Sequence, residues 1–241
     1  MNKKVAVIVG AGDAIGSAIT RRFAQRGLAV VALRRNGDKL GTLVDELQGA
    51  GHDAHAFSFD ARRENEVEAR FAAIERDIGE IEVMVFNIGA NVPMGILETD
   101  SRKFFKIWEM ACFAGFLTGR EAARYMTGRG RGTIIFTGAT ASIRGAAGFA
   151  AFASAKHGLR ALAQSMAREL GPQNIHVAHV VIDAAVDTQW IHDNLPDAAR
   201  LKDQDGIVIP ADLAENYVLL HDQPRNAWTF EMDLRPWMER W

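Results

Sequence analysis

Val5-Ala6-Val7-Ile8-Val9-Gly10-Ala11-Gly12-Asp13-Ala14-Ile15-Gly16 is the stretch that decides the fold. Residues 5–9 are apolar and mostly β-branched, the composition of a strand buried on both faces. Gly10-Ala11-Gly12 ends that run. Beyond it Ile15, Ile19 and Phe23 recur at helical spacing, with Arg21, Arg22 and Arg26 between them, and Gly27 marks the helix end. Residues 28–33 form a second apolar run with Arg34-Arg35 at its C-terminal end. Strand, glycine-rich turn, helix and strand make a βαβ unit. Its first turn is where a dinucleotide diphosphate meets the free N–H groups of a helix N-terminus. Gly10, Gly12 and Gly16, with Asp13 and Ile15 between them, are the candidate phosphate-binding residues, because small residues let the backbone approach the phosphates. The spacing alone would also suit a tight structural turn; the strand before it and the amphipathic helix after it favour nucleotide binding.

The chain has 241 residues, 48% hydrophobic and 24% charged, enough for one large domain spanning residues 1–241. A net charge of −2 leaves no electrostatic footprint for nucleic acid or an anionic membrane. Cys112 is the one cysteine, so no internal disulfide can form. No signal peptide or transmembrane run precedes the first strand, and the expectation is a cytoplasmic protein.

Strand-like and helix-like stretches alternate to the end, which predicts an α/β fold with a parallel sheet. Helices are expected over residues 37–50, 64–79, 101–126, 148–170 and 211–221. Further strands are expected over 54–59, 81–86, 132–137 and 175–182. Residues 183–210 read as a long irregular loop of the kind that carries function, and residues 228–241 as an aromatic tail. Ligands of such sheets bind beyond the carboxyl ends of the strands. Residues 10–16, Arg34, Asp60, residues 87–90, 138–142 and 183–188 are therefore expected to line one cleft. Turns specific for NAD place a carboxylate after the second strand; here Arg34 and Arg35 stand ready for a 2′-phosphate, which favours NADP(H) over NAD(H).

Asn87-Ile88-Gly89 and Ala153-Ser154-Ala155-Lys156 complete a pattern that resembles the short-chain dehydrogenases/reductases over nearly the whole chain. Gly10 and Gly16 match the first and last glycines of that family's Gly-x-x-x-Gly-x-Gly turn, with Ala14 at the middle one. The resemblance implies a single doubly wound parallel sheet, a Rossmann fold, with the loop at 183–210 over the substrate. It implies Asp60 beside the adenine, Asn87 and Gly89 in the turn after the fourth strand, and Lys156 at the nicotinamide ribose. Thr188 resembles the threonine that contacts the carboxamide, although Asp183-Ala184 replaces the usual Pro-Gly before it. A strand at 228–234 followed by Arg235-Pro236 departs from the common C-terminus and suggests a divergent branch.

The catalytic positions also depart. The family pairs Lys with a Tyr four residues earlier, a Ser thirteen residues before that Tyr, and an Asn on the preceding long helix. Here those positions hold Phe152, Ala139 and Ala111; only Lys156 is retained. Hydride delivery to a carbonyl leaves an alkoxide that needs a proton, and Phe152 has none to give. Ser142 and His192 are weak substitutes, with Thr140, Ser154, Asp183 and Asp187 also near the expected cleft. His157 points about 100° away from Lys156 around its helix. Cys112 reads as a small buried hydrophobe. The remaining histidines show no ligand spacing, so no metal is assigned.

Two functions remain open. One is an NADP-dependent oxidoreductase with a degenerate site, acting on a small apolar carbonyl or alcohol, for which Met94, Ile96 and Gln189-Trp190-Ile191 supply an apolar pocket. The other is a non-catalytic NADP(H)-binding protein, a sensor or a partner subunit. The family's pairing of its two long helices implies a homodimer or homotetramer, through Trp108, Phe113, Phe116, Leu159, Leu162 and Met166.

Overall fold

β1 (Lys4–Val9) runs through the middle of a seven-stranded sheet in the order β3-β2-β1-β4-β5-β6-β7, seen in a computed structural model that describes residues 3–240. The others are β2 (Ala29–Arg34), β3 (Ala54–Ser58), β4 (Glu80–Phe86), β5 (Gly132–Thr137), β6 (Ile175–Ile182) and β7 (Glu231–Leu234). Every pairing is parallel. A parallel sheet must be covered on both faces, and the strand sequences show why this one is. Val5, Val7 and Val9 pack into one apolar cluster; Ala6 and Ile8, pointing the opposite way, pack into another. The first cluster takes Val67, Phe71 and Ile74 from α3 (Glu64–Asp77), and Leu117 and Met126 from the helix Ala114–Arg129. The second takes Ile19 and Phe23 from α1 (Ile15–Gln25), and Leu213 and Tyr217 from the helix Pro210–Asp222.

The chain leaves β1 toward β2 and β3, then returns to the other side of β1 through β4. The turns after β1 and β4 consequently diverge at the carboxyl edge and open a crevice between them.

Five expected elements differ from what is seen. Residues 37–50 split into a 3₁₀ turn, Gly37–Leu40, and α2 (Gly41–Gly49). The helical region expected over 101–126 is α4 (Ser101–Trp108), a π-turn at Glu109–Phe113, and α5 (Ala114–Arg129). The next long helix, α6 (Ala150–Leu170), starts two residues later than expected. Residues 183–210 are not irregular throughout: α7 (Gln189–Asn194), α8 (Pro196–Ala199) and the 3₁₀ turn Lys202–Gln204 interrupt them, and Val186 bridges Val208. The last strand is confined to β7, because Gln223 binds the backbone N–H of Thr229 and holds the residues before it in a turn. The expected domain limits of 1 and 241 and the last tryptophan of the tail, with Asn2, lie outside the described residues. The last helix, α9 (Pro210–Asp222), packs on α1. No helix among the described residues is long and apolar enough to cross a membrane.

Candidate functional site: a cleft beside the glycine-rich turn and a buried lysine

The glycine-rich turn is built by close approach. Gly10 has φ +91°, and a Cβ there would lie 2.8 Å from the Asn87 backbone. A Cβ on Gly16 would lie 2.4 Å from the Gly10 carbonyl oxygen, so only glycine lets α1 start this close to β1. Asn87 Nδ2 donates to that same oxygen at 3.1 Å and ties the β4 turn to the β1 turn. A Cβ on Gly12, in contrast, would meet nothing within 4 Å. The space above Gly12 is open, and no side chain caps the N-terminus of α1. A helix N-terminus without a side-chain cap, beside open space, suits a diphosphate, although the Ser17 N–H already donates to Gly12 O at 2.9 Å.

From that turn a cleft of about 590 Å³ extends toward β2 and β3. Its walls include Gly10, Gly12, Arg34, Arg35, Asp60, Asn87 and Gly89, seven of the residues expected from the sequence. Lys39, Arg62 and Met110 are among the lining residues that were not foreseen. Lys39 reaches the cleft because the 3₁₀ turn after β2 folds back, which nothing in the local sequence announces. Arg62 holds Asp60 with two bonds, Nε to Oδ1 at 2.8 Å and Nη2 to Oδ2 at 2.6 Å. That guanidinium keeps the Asp60 carboxyl below the usual aspartate range. Met110 enters from the π-turn. An arginine two residues after an aspartate at a strand end is the signal that could have found Arg62.

One cleft lined by all the expected segments is not what the structure shows. Asp13 and Thr188 line a separate groove, with Arg21, Arg22, Trp190 and Glu215. The Thr188 hydroxyl accepts from Ile191 N and caps α7, so the loop is anchored by its own short helix. Ile15 is partly buried and packs into the core beneath the turn.

The residues at the expected catalytic positions pack in apolar surroundings. Ala111, Phe152, Ala90, Ile107 and Ala155 form a small apolar cluster against which Ala139 and Met94 pack. Lys156 lies beside it, 2% exposed, with Nζ donating to Thr137 O at 2.8 Å and Ile88 O at 3.2 Å. Its Nζ stands 5.9 Å from the Phe152 ring centroid, on the face where the family carries a phenol. Burial pushes the Lys156 amine down to about 8. Cys112 is buried, and burial pushes its thiol up.

Neither weak substitute is hydrogen-bonded to Lys156. Ser142 is fully buried and its Oγ accepts from Ala139 N at 3.1 Å, closing a local turn. His192 pairs with Asp187 at 2.7 Å on the exposed loop. Thr140 donates to the buried Asp183, which Arg144 also holds, so Asp183 anchors the loop in place of the Pro-Gly. His179 sits behind Gly138 with Nδ1 3.0 Å from Glu231, and burial pushes it down to about 4. No group of three or more His, Cys, Asp or Glu among the described residues is arranged to hold a metal.

A parallel, doubly wound sheet with an open glycine turn, a cation-rich arm and a buried lysine opposite it defines a nicotinamide-dinucleotide oxidoreductase fold. The short chain dehydrogenase family model matches residues 4–198, and the chain belongs to the short-chain dehydrogenase/reductase family. It is 52% identical to a short-chain dehydrogenase from Rhodopseudomonas palustris whose crystal structure covers 98% of this chain and 99% of its own, with a TM-score of 0.84. A metagenomic short-chain oxidoreductase solved in complex with NADP is 25% identical over 98% of each chain, with a TM-score of 0.83. Carbonyl reductase family member 4 of Danio rerio is 29% identical over 72% of each chain.

Proposed function

We propose that this protein binds NADP(H) in the cleft and has lost most conventional carbonyl reduction. The observation that carries the reading is the apolar surroundings of Phe152, Ala139 and Ala111, with Lys156 Nζ hydrogen-bonded, among the described residues, to the Thr137 and Ile88 carbonyls and to no side-chain hydroxyl or imidazole. A bound nicotinamide dinucleotide supplies or accepts a hydride. The chain's own part is mostly positional. Gly10, Gly12, Gly16 and Ile15 shape the diphosphate seat, and Asn87 and Gly89 fix the turn beside it. Asp60, held by Arg62, borders the adenine. Lys156 is assigned the ribose hydroxyls and Thr188 the carboxamide, as the family resemblance implies.

Activity that survives is weak oxidoreduction of a small apolar carbonyl or alcohol near Met94, which packs against the Phe152 cluster. An acid in position is worth roughly 10²–10⁴ in rate, and a lost oxyanion donor costs about 3–4 kcal/mol. This is why a binding role outweighs turnover. The protein is further read as a cytoplasmic homodimer or homotetramer.

Arg34, Arg35 and Lys39 support the NADP(H) preference, since the arm after β2 has cations where an NAD site has an acid. Calorimetric titration tests it. NADPH is expected to bind more tightly than NADH, and Arg35→Ala should cost about 1.5–3 kcal/mol for NADPH alone, the scale of one hydrogen bond to a charged group. Equal affinities for the two cofactors would defeat the reading.

A further inference from the structure

Arg34 does not stand free at the mouth of the cleft. Its Nη1 donates to Asp13 Oδ1 at 2.7 Å, a bond that reaches from the end of β2 back to the glycine-rich turn. Asp13 sits between Gly12 and Ala14, immediately before α1 begins, and is 81% exposed against 21% for Arg34. The other cations of this arm are distributed differently. Arg62 is held by Asp60 and reaches Glu109. Arg35 and Lys39 lie exposed on the rim.

We propose that Asp13 is a specificity-determining residue, which limits discrimination between a phosphorylated and a plain adenosine ribose by competing for Arg34. The proposal rests on the NADP(H) reading of the cleft. A 2′-phosphate approaching Arg34 meets a guanidinium already neutralised by a carboxylate. It must displace that carboxylate or sit beside it, and two anions sharing one cation repel. An unphosphorylated ribose carries no charge to be repelled, and its hydroxyl can donate to the Asp13 carboxylate. The same side chain thus weakens the phosphorylated ligand and tolerates the plain one. Arg35 and Lys39 supply whatever preference for the phosphate persists.

The test uses the full chain and two probes that lack the nicotinamide, 2′,5′-ADP and 5′-ADP, titrated by calorimetry. Asp13→Asn keeps the side chain's shape, and its exposure means the fold does not depend on it. The variant is expected to bind 2′,5′-ADP about tenfold more tightly, the scale of one charge-assisted bond, with 5′-ADP unchanged within twofold or slightly weaker. Adding Arg34→Ala should abolish the gain. A gain equal for both probes, or one that survives Arg34→Ala, would overturn the proposal. The NADP(H) reading fails separately: wild type that binds 5′-ADP as tightly as 2′,5′-ADP, with Arg35→Ala neutral for both, removes that reading whatever Asp13→Asn does.

Discussion

The three turn glycines separate folding from binding at single positions. A methyl on Gly16 would collide with the backbone of Gly10 and Ala11, at 2.4 and 2.5 Å. Backbone cannot yield as a side chain can, so Gly16→Ala should cost at least about 1–3 kcal/mol, as overpacked sites do. That corresponds to a fall in Tm of roughly 2–4 °C per kcal/mol for a chain of this size. A methyl on Gly12 meets nothing, and Gly12→Ala should leave Tm within about 1 °C while weakening NADPH binding roughly tenfold by filling the phosphate space. Thermal melts and calorimetry of the two variants check this pair; a stable Gly16→Ala would contradict it. The spacing of these glycines was legible in the sequence, but their division of labour was not, because it depends on how near Asn87 and Ala11 come. The missing phenol and hydroxyl at Phe152 and Ala139 were legible as residue types. The engagement of Asp13 with Arg34 was not, since a contact 21 residues apart depends on the fold.

Elements were legible where burial dictates composition. β1, β5 and β6 are near-continuous apolar runs, and they were placed to within a residue. The π-turn at Glu109–Phe113 has no glycine or proline to announce it. It arises where α4 and α5 pack against α6 and must present Met110, Ala111 and Cys112 together; such turns often lie at functional sites. Long-helix surfaces were half legible. Of the residues expected to serve both core and interface, Leu159 and Met166 are committed to the core, whereas Phe116 stays exposed. Phe105, Trp108, Phe113 and Phe116 form an aromatic ladder with centroids 5.9–6.0 Å apart along α4 and α5. Pairing of this surface between copies would cover apolar area that is otherwise wet. Light scattering at micromolar concentration should give a multiple of 26.4 kDa, and Phe105→Glu with Phe116→Glu should return it to the monomer. A wild-type species of 26.4 kDa alone would contradict the pairing.

At the scale of the whole molecule, the parallel, doubly wound sheet was legible in the β-α alternation, whereas the strand order was not, because alternation alone allows more than one order. The path of residues 183–210 was not legible either. It is set by the long-range grip of Thr140 and Arg144 on Asp183, by the Val186–Val208 bridge and by the Thr188 cap. The central claim of the proposed function is a cofactor seat retained beside a catalytic end without oxygen-directed groups. A steady-state assay of NADPH oxidation against a panel of aldehydes, ketones and diones tests that claim most directly, run on wild type, Phe152→Tyr, Ala139→Ser and the double variant. The account predicts weak wild-type turnover and a partial gain from Phe152→Tyr, whose phenol would stand one helical turn from Lys156. The double should exceed the sum of the singles, because acid and oxyanion donor act on one oxygen. Robust wild-type turnover that survives Phe152→Leu would contradict it.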